Sequence, residues 1–179
     1  MTNPYTAPKS RVDDSTAEQP GPAYFAVSRL KLALMSVATF GLYQIYWFYK
    51  NWKAMQSSGE SLNAPVRALF YPLTAYWLFR HIGERGVALG MAAGFSAGLL
   101  AVAVFLLSML WRLPDPWWLA GFASVAALLP VQTAVNEINH RVAPDADPNT
   151  RFRGWNIFGL IVGGILFGLV VLGAFAPGE

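Results

Sequence analysis

Residues 155–176 read WNIFGLIVGGILFGLVVLGAFA, a run that contains no charged side chain. As an α-helix this run is about 33 Å long, enough to cross a hydrocarbon core of about 30 Å. Residues 32–49, 87–111 and 117–135 are equally free of Asp, Glu, Lys, Arg and His. None of these runs alternates polar and apolar residues with the period of two that strands show. The sequence therefore predicts an all-α, polytopic integral membrane helical bundle with four transmembrane helices.

A fifth, shorter apolar segment covers residues 66–82. Its charge-free part, residues 68–79, is only about 18 Å long as a helix, and Pro72 is expected to kink it. A thin span, a re-entrant half-helix and an interfacial helix all remain open for this segment. Residues 1–24 are rich in proline and lack the pattern of a cleavable signal peptide, which predicts a disordered tail before a single membrane-embedded domain at 25–179.

The composition excludes several classes of protein. Hydrophobic residues make up 55% of the 179 residues, charged residues only 13%, and the mean hydropathy is +0.38. So few charges cannot solvate the surface of an ordinary soluble enzyme or a nucleic-acid-binding domain, although the pI is near 9.3. The chain has no cysteine, which excludes a disulfide scaffold, a thiol nucleophile and a metal site with Cys ligands.

The positions of the basic residues predict the orientation, because Lys and Arg crowd the cytoplasmic loops of membrane proteins. The connection at 136–154 carries three arginines and the hairpin at 112–116 carries one, so the former is expected inside and the C-terminus outside. If segments 32–49 and 66–82 both cross, the inside-to-outside split is 9 to 4; if only the first crosses, it is 8 to 5; if neither crosses, it is 12 to 1. The two more asymmetric splits place the N-terminus in the cytoplasm.

No residue in the long runs is suited to catalysis or to binding a metal or other cofactor. All ten acidic residues lie in tails, loops or segment ends, which argues against a proton-coupled carrier and a carboxylate-based enzyme. His81 and His140 each stand beside an arginine, whose charge would repel a metal ion. We therefore expect neither enzymatic activity nor a cofactor.

Glycines in two of the runs are spaced for helix packing. Gly90, Gly94 and Gly98 recur at every fourth position, and the last run repeats the spacing in Gly159 with Gly163 and in Gly164 with Gly168. Small residues at this spacing let helix backbones approach each other closely in lipid. The sequence predicts that these two helices pack tightly, on each other or across a homo-oligomer.

Polar and aromatic residues supply the remaining candidates. Gln132, Asn136 and Asn139 share one face of the 117–139 helix, where they would line a polar pathway or bond between helices. Aromatic rings prefer the headgroup boundary, which predicts eight interfacial anchors: Tyr43, Tyr46, Trp47, Trp52, Trp111, Trp117, Trp118 and Trp155.

The stretch GLYQIYWFYKNWK at residues 41–53 is the most distinctive part of the chain. Together with FAVSRLKL at 25–32, PVRALF at 65–70 and LPVQ at 129–132, it resembles a family of small bacterial multi-pass membrane proteins described only as domains of unknown function. The resemblance implies a bacterial inner-membrane location, with the C-terminus then periplasmic. It implies no activity and no catalytic residues.

Three functions are compatible with these features. A non-enzymatic membrane component would act through helix packing, as a homo-oligomer or with a membrane protein partner. A small-solute or ion transporter or channel would use the polar stripe of the 117–139 helix, and an enzyme acting on lipid has no residue to support it. The expected surroundings are the lipid bilayer, with anionic headgroups at the basic loops, and no nucleic acid.

Overall fold

The computed structural model describes residues 21–57, 59, 63–92 and 94–175, and this part of the chain forms helices and no strand. The predicted all-α class is therefore confirmed. The helices are α1 (Arg29–Ala38), α2 (Leu42–Ser57), α3 (Ala64–Leu69), α4 (Tyr71–Ala88), α5 (Ala97–Met109), α6 (Ser124–Val142) and α7 (Gly154–Ala174), with 3-10 segments at Leu110–Arg112 and Trp117–Ala123. Residues 1–20 of the predicted tail lie outside the described residues. Its boundary at 24 is wrong, because Tyr24 is buried in the core.

The prediction of a single helix over 32–49 is wrong, because the chain reverses after Ala38. Phe40 and Gly41 have left-handed φ angles of 50° and 84°, and the Gly41 N–H bonds back to the carbonyl of Ser36. Glycine adopts this conformation without the steric cost that a Cβ imposes, so Gly41 permits the turn. Helix α2 then runs back beside α1, since the Phe25 ring, before α1, lies 5.5 Å from the ring of Tyr46.

The segment predicted at 66–82 consists of two helices. Pro65 lies in the first turn of α3, and Pro72 lies in the first turn of α4. Proline is tolerated there because the first N–H groups of a helix have no partner within it. The predicted kink at Pro72 is therefore wrong: this proline begins a helix that continues to Ala88, well beyond the charge-free part of the segment.

The run at 87–111 is also interrupted. Helix α4 ends at Ala88, a connection follows with Gly90 at a φ of 74°, and α5 begins only at Ala97, capped by the Ser96 hydroxyl. The apolar helix that remains, Ala97–Arg112, is shorter than the predicted one. The chain then turns at residues 113–116 into the helical stretch Trp117–Val142. The predicted tight hairpin is present between these two stretches.

Two helical stretches in the described part of the chain, Trp117–Val142 and Gly154–Ala174, are long and apolar enough to cross a membrane. The predicted set of four spanning helices is therefore not confirmed. Helix α7 lies at the periphery, where Gly163 is its one buried residue and its inner face contacts α1.

The core of the protein lies around α2. Trp47 and Phe48 are fully buried, and the Phe48 ring lies 4.9 Å from the ring of Tyr71 and 5.9 Å from that of Phe79 on α4. We call the end of the bundle that carries the 143–153 connection the loop side, and the end that carries residues 113–116 the hairpin side.

Candidate functional site

The residues before α1 form a segment, residues 24–27, that is neither a helix nor a strand and whose backbone contacts side chains of α2 and α6. Both backbone polar groups of Tyr24 bond to one side chain: its N–H donates to Asn139 Oδ1 at 2.9 Å, and its carbonyl accepts from Asn139 Nδ2 at 3.0 Å. A buried backbone group must find a partner, because leaving it unpaired costs free energy comparable to a lost hydrogen bond. Here an asparagine side chain takes the place of a partner strand.

Other side-chain amides continue this arrangement along the segment. Asn51 Oδ1 accepts from the Phe25 N–H at 3.1 Å, and Asn149 Nδ2 donates to the Ala26 carbonyl at 3.0 Å. Asn136 Nδ2 donates to the Val27 carbonyl at 3.0 Å. We call these amides and the neighbouring glutamine the amide clamp, which consists of Asn51, Gln132, Asn136, Asn139 and Asn149.

Gln132 links the amide clamp to α2. It is fully buried, its Oε1 accepts from Trp47 Nε1, and its Nε2 donates to Asn136 Oδ1 at 2.7 Å. The structure therefore brings Gln132, Asn136 and Asn139 together, as their spacing suggests. Their amides bond to the non-helical residues 24–27 as well as to α2. Asn51 and Asn149, which complete the clamp, are not among the predicted site residues. Each stands in a short polar stretch that follows an apolar run, Asn51 after residues 32–49 and Asn149 after residues 117–135, and this position is the sequence signal that points to them.

Lys31 is a buried cation at the loop-side end of α1. Its Nζ donates to Asn149 Oδ1 at 2.8 Å and to the carbonyl of Arg151 at 2.9 Å, and the side chain is only 2% exposed. Burial lowers the pKa of the Lys31 ammonium, the charge of Arg153 lowers it further, and that of Asp147 opposes the change. Lys31 thus ties α1 to the connection before α7, a role that the sequence did not indicate.

The predicted aromatic anchors divide into three groups. Tyr43, Trp47 and Trp52 are buried inside the protein, so the anchor prediction is wrong for them. Their faces of α2 pack on other helices, and the Trp52 ring is covered by the guanidinium of Arg67 at 4.8 Å.

Trp111 and Trp118 are half-buried on the hairpin side, where their ring centroids lie 5.6 Å apart and the ring planes are tilted by 33°. Tyr46, Trp117 and Trp155 are exposed, and for them the anchor role stays a prediction.

The predicted glycine faces also divide. A Cβ on Gly163 would lie 2.0 Å from the carbonyl oxygen of Ala38, so α1 and α7 touch backbone to backbone here. Gly159 lies opposite Met35, whereas Gly164 and Gly168 face open space.

The packing face predicted for Gly90, Gly94 and Gly98 is wrong. The first two lie in the connection between α4 and α5, and Gly98 opens α5 with nothing within 4 Å of a Cβ. Since α4 stops at Ala88, the three glycines do not share a helix.

A cleft opens at the loop side, along α6. Two adjoining cavities of about 480 and 670 Å³ share Arg29, Asn136 and His140 in their walls. A third cavity, of about 470 Å³, shares Met91 and Ala134 with the second and is lined mainly by apolar residues of α4 and of the connection between α4 and α5. We call these three cavities together the loop-side cleft.

The cleft holds few groups suited to catalysis. Three carboxylates line its walls, and each lies in an ion pair: Glu137 with Arg141 at 3.0 Å, Asp147 with Arg153 at 3.1 Å, and Glu84 with Arg80 at 2.7 Å. Across the part of the chain that the structure describes, no three His, Asp or Glu side chains come together as metal ligands.

The chain matches no protein-family model, no curated protein and no solved structure. The resemblance to small bacterial multi-pass membrane proteins consequently stays a prediction.

Proposed function

We propose that the protein is an integral membrane component without enzymatic activity, which acts through contacts of α7 with another transmembrane helix. The observation that carries the proposal is the exposure of α7, a helix of 21 residues in which Gly163 alone is buried. Exposure of such an apolar surface to water is unfavourable, whereas acyl chains or an apolar helix would cover it at little cost in free energy. The length and apolar composition of the helical stretches Trp117–Val142 and Gly154–Ala174 support association with a membrane in general.

In this proposal α5, α6 and α7 cross the bilayer, while α1 and α2 enter it from the loop side and return. The turn at Phe40 contacts Phe167, which lies 13 residues and about 20 Å from the start of α7. The turn thus reaches about two-thirds of the way along α7, and the return of α2 brings Asn51 back to the segment before α1. Irregular backbone is tolerable at this depth because the N–H groups of the turn find partners within the protein: Phe40, Gly41 and Leu42 donate to the carbonyls of Val37, Ser36 and Thr39.

The basic residues support the same arrangement. With no crossing by α1–α4, twelve Lys and Arg residues lie on the loop side and only Arg112 lies on the hairpin side. This is the most asymmetric of the three distributions that the sequence allows, and it corresponds to a cytoplasmic loop side. The C-terminus would then be periplasmic, in the inner membrane of a bacterium.

The alternative, a solute or ion pathway, has less support. The amides that suggested it, Gln132, Asn136 and Asn139, make hydrogen bonds to residues 24–27 and to each other. A pathway would have to exchange these bonds for bonds to a solute, at a cost of about 1–3 kcal/mol for each buried group left unpaired.

Cysteine cross-linking in native membranes tests the proposal, since the chain contains no other cysteine. Gly168→Cys places a thiol on the open face of α7, and Phe167→Cys places one beside it on the face that packs on Phe40 and Phe122. We expect an oxidised dimer, or a covalent adduct with a partner, from Gly168→Cys and much less from Phe167→Cys. Equal or absent cross-linking at both positions would contradict a contact through this face.

A further inference from the structure

The loop-side cleft changes character along its length. At its mouth, near His140 and Asp147, the walls carry polar and charged side chains. Towards Pro130, ten residues earlier on α6 and so about 15 Å deeper, the walls become mainly apolar and meet the groove beside Met91 and Phe95. The two charged side chains that also line this groove, Arg80 and Glu84, pair with each other at 2.7 Å. A cleft that is polar at the membrane surface and apolar towards the interior matches the polarity of a phospholipid that stands in the same leaflet.

The mouth of the cleft also carries an unbalanced positive charge. Its two carboxylates are already paired to arginines, as described above. The Arg29 guanidinium, by contrast, has no hydrogen bond or ion pair with any described residue. It lines both of the adjoining cavities that also contain His140, those of about 480 and 670 Å³. The imidazole of His140 lies in the same walls, and Asn136 retains one amide N–H beyond its bond to Val27. These are donors for an anion, and arginine suits a phosphate best because its planar fork can donate two parallel bonds.

We propose that the loop-side cleft binds an anionic phospholipid. The guanidinium of Arg29 holds the headgroup phosphate, His140 and Asn136 face the glycerol end, and one acyl chain lies in the groove formed by Met91, Phe95 and Ala134. The inference rests on the proposed membrane location, because only there does the cleft face a leaflet. It assigns a ligand class to the cleft, whereas the proposed function concerns α7.

A binding experiment on the purified full-length chain in a nonionic detergent tests the inference. Short-chain phosphatidylglycerol, short-chain phosphatidylcholine and glycerol 3-phosphate are titrated separately, and bound ligand is counted by native mass spectrometry. We expect phosphatidylglycerol to bind at least about ten-fold more tightly than the other two, because it alone combines an anionic headgroup with an acyl chain.

Variants locate the binding site. Arg29→Gln is expected to weaken phosphatidylglycerol binding about ten-fold, whereas Lys53→Gln, which removes an exposed loop-side cation outside the cleft, changes it less than about two-fold. Ala134→Leu narrows the apolar end and should weaken binding of the lipid without affecting that of glycerol 3-phosphate. Thermal unfolding of each variant confirms that it remains folded.

Three results would overturn the inference: equal affinity for the two lipids, equal effects of Arg29→Gln and Lys53→Gln, or glycerol 3-phosphate binding as tightly as phosphatidylglycerol. The last result would assign the cleft to a soluble phosphate compound. Carbonate extraction of the same cells reports separately on membrane embedding. A chain that stays in the membrane but shows no lipid preference would refute this inference alone.

Discussion

Substitution of Gly163 by alanine tests the contact that holds α7 to the rest of the protein. The new Cβ would lie 2.0 Å from the carbonyl oxygen of Ala38, 2.7 Å from its carbon and 3.1 Å from its Cβ. The obstacle is mostly backbone and cannot rotate away, so α1 and α7 must separate by at least about 1 Å. Overpacking of this kind costs about 1–3 kcal/mol, against which alanine regains up to about 1 kcal/mol of helix propensity.

Gly164→Ala is the matched control. It adds the same methyl group to the next residue of α7, where nothing lies within 4 Å, so it keeps the propensity gain and adds no clash. The difference between the two variants therefore isolates the clash. Thermal unfolding in detergent, followed by near-UV circular dichroism, should give a Tm for Gly163→Ala that is roughly 2–12 °C below that of Gly164→Ala. Equal Tm values would refute the backbone contact between α1 and α7.

Three further perturbations follow from the site. Asn139→Ala leaves the buried N–H and carbonyl of Tyr24 without partners and should lower the free energy of unfolding by about 1–3 kcal/mol. The control Gln56→Ala, at an exposed residue, should lower it by less than about 0.5 kcal/mol. Equal losses would contradict the amide clamp. Trp47→Phe removes a buried hydrogen bond and should cost about 1–3 kcal/mol, while Trp155→Phe, at a residue that is 86% exposed, should cost almost nothing; the reverse order would restore the anchor role of Trp47. Because the pKa of Lys31 is lowered in the folded protein, the unfolded chain binds this proton more tightly, and the free energy of unfolding should rise with pH below the ordinary pKa of 10.5. Lys31→Met should flatten that rise in denaturant titrations at several pH values. An unchanged slope of stability against pH would show that the ammonium is not desolvated.

The parts of the fold that the sequence predicts well are those that depend on local pattern. The run predicted from residue 155 onward lies in one helix, Gly154–Ala174, and the five residues 112–116 between two apolar runs are enough to specify the hairpin before α6. The absence of charge does not imply a continuous helix, however. Residues 32–49 contain no charged residue, yet the left-handed turn at Phe40 and Gly41 divides them into two helices. The sequence signal for this turn was weak, because it consisted of a single glycine followed by leucine, a strong helix former.

The candidate site shows where local pattern is insufficient. The spacing of Gln132, Asn136 and Asn139 places them on one helix face, but the backbone groups that they bind in residues 24–27 are 107 to 115 residues away. Such contacts are set by tertiary packing. The same reason explains why the anchor prediction is wrong for Tyr43, Trp47 and Trp52 of α2. Their residue types are typical of a membrane interface, but tertiary packing buries them in the core.

Accessibility of single cysteines to a membrane-impermeant thiol reagent tests the central claim most directly, namely that α1 and α2 enter the membrane and return to the same side. Lys53→Cys follows α2, Asp147→Cys lies in the connection before α7, and Asp115→Cys lies in the hairpin. We expect Lys53→Cys and Asp147→Cys to be both protected in intact cells and both labelled in inverted vesicles, and Asp115→Cys to show the opposite pattern. Labelling of Lys53→Cys together with Asp115→Cys in intact cells would mean that residues 32–49 cross the membrane, and it would contradict the arrangement proposed here.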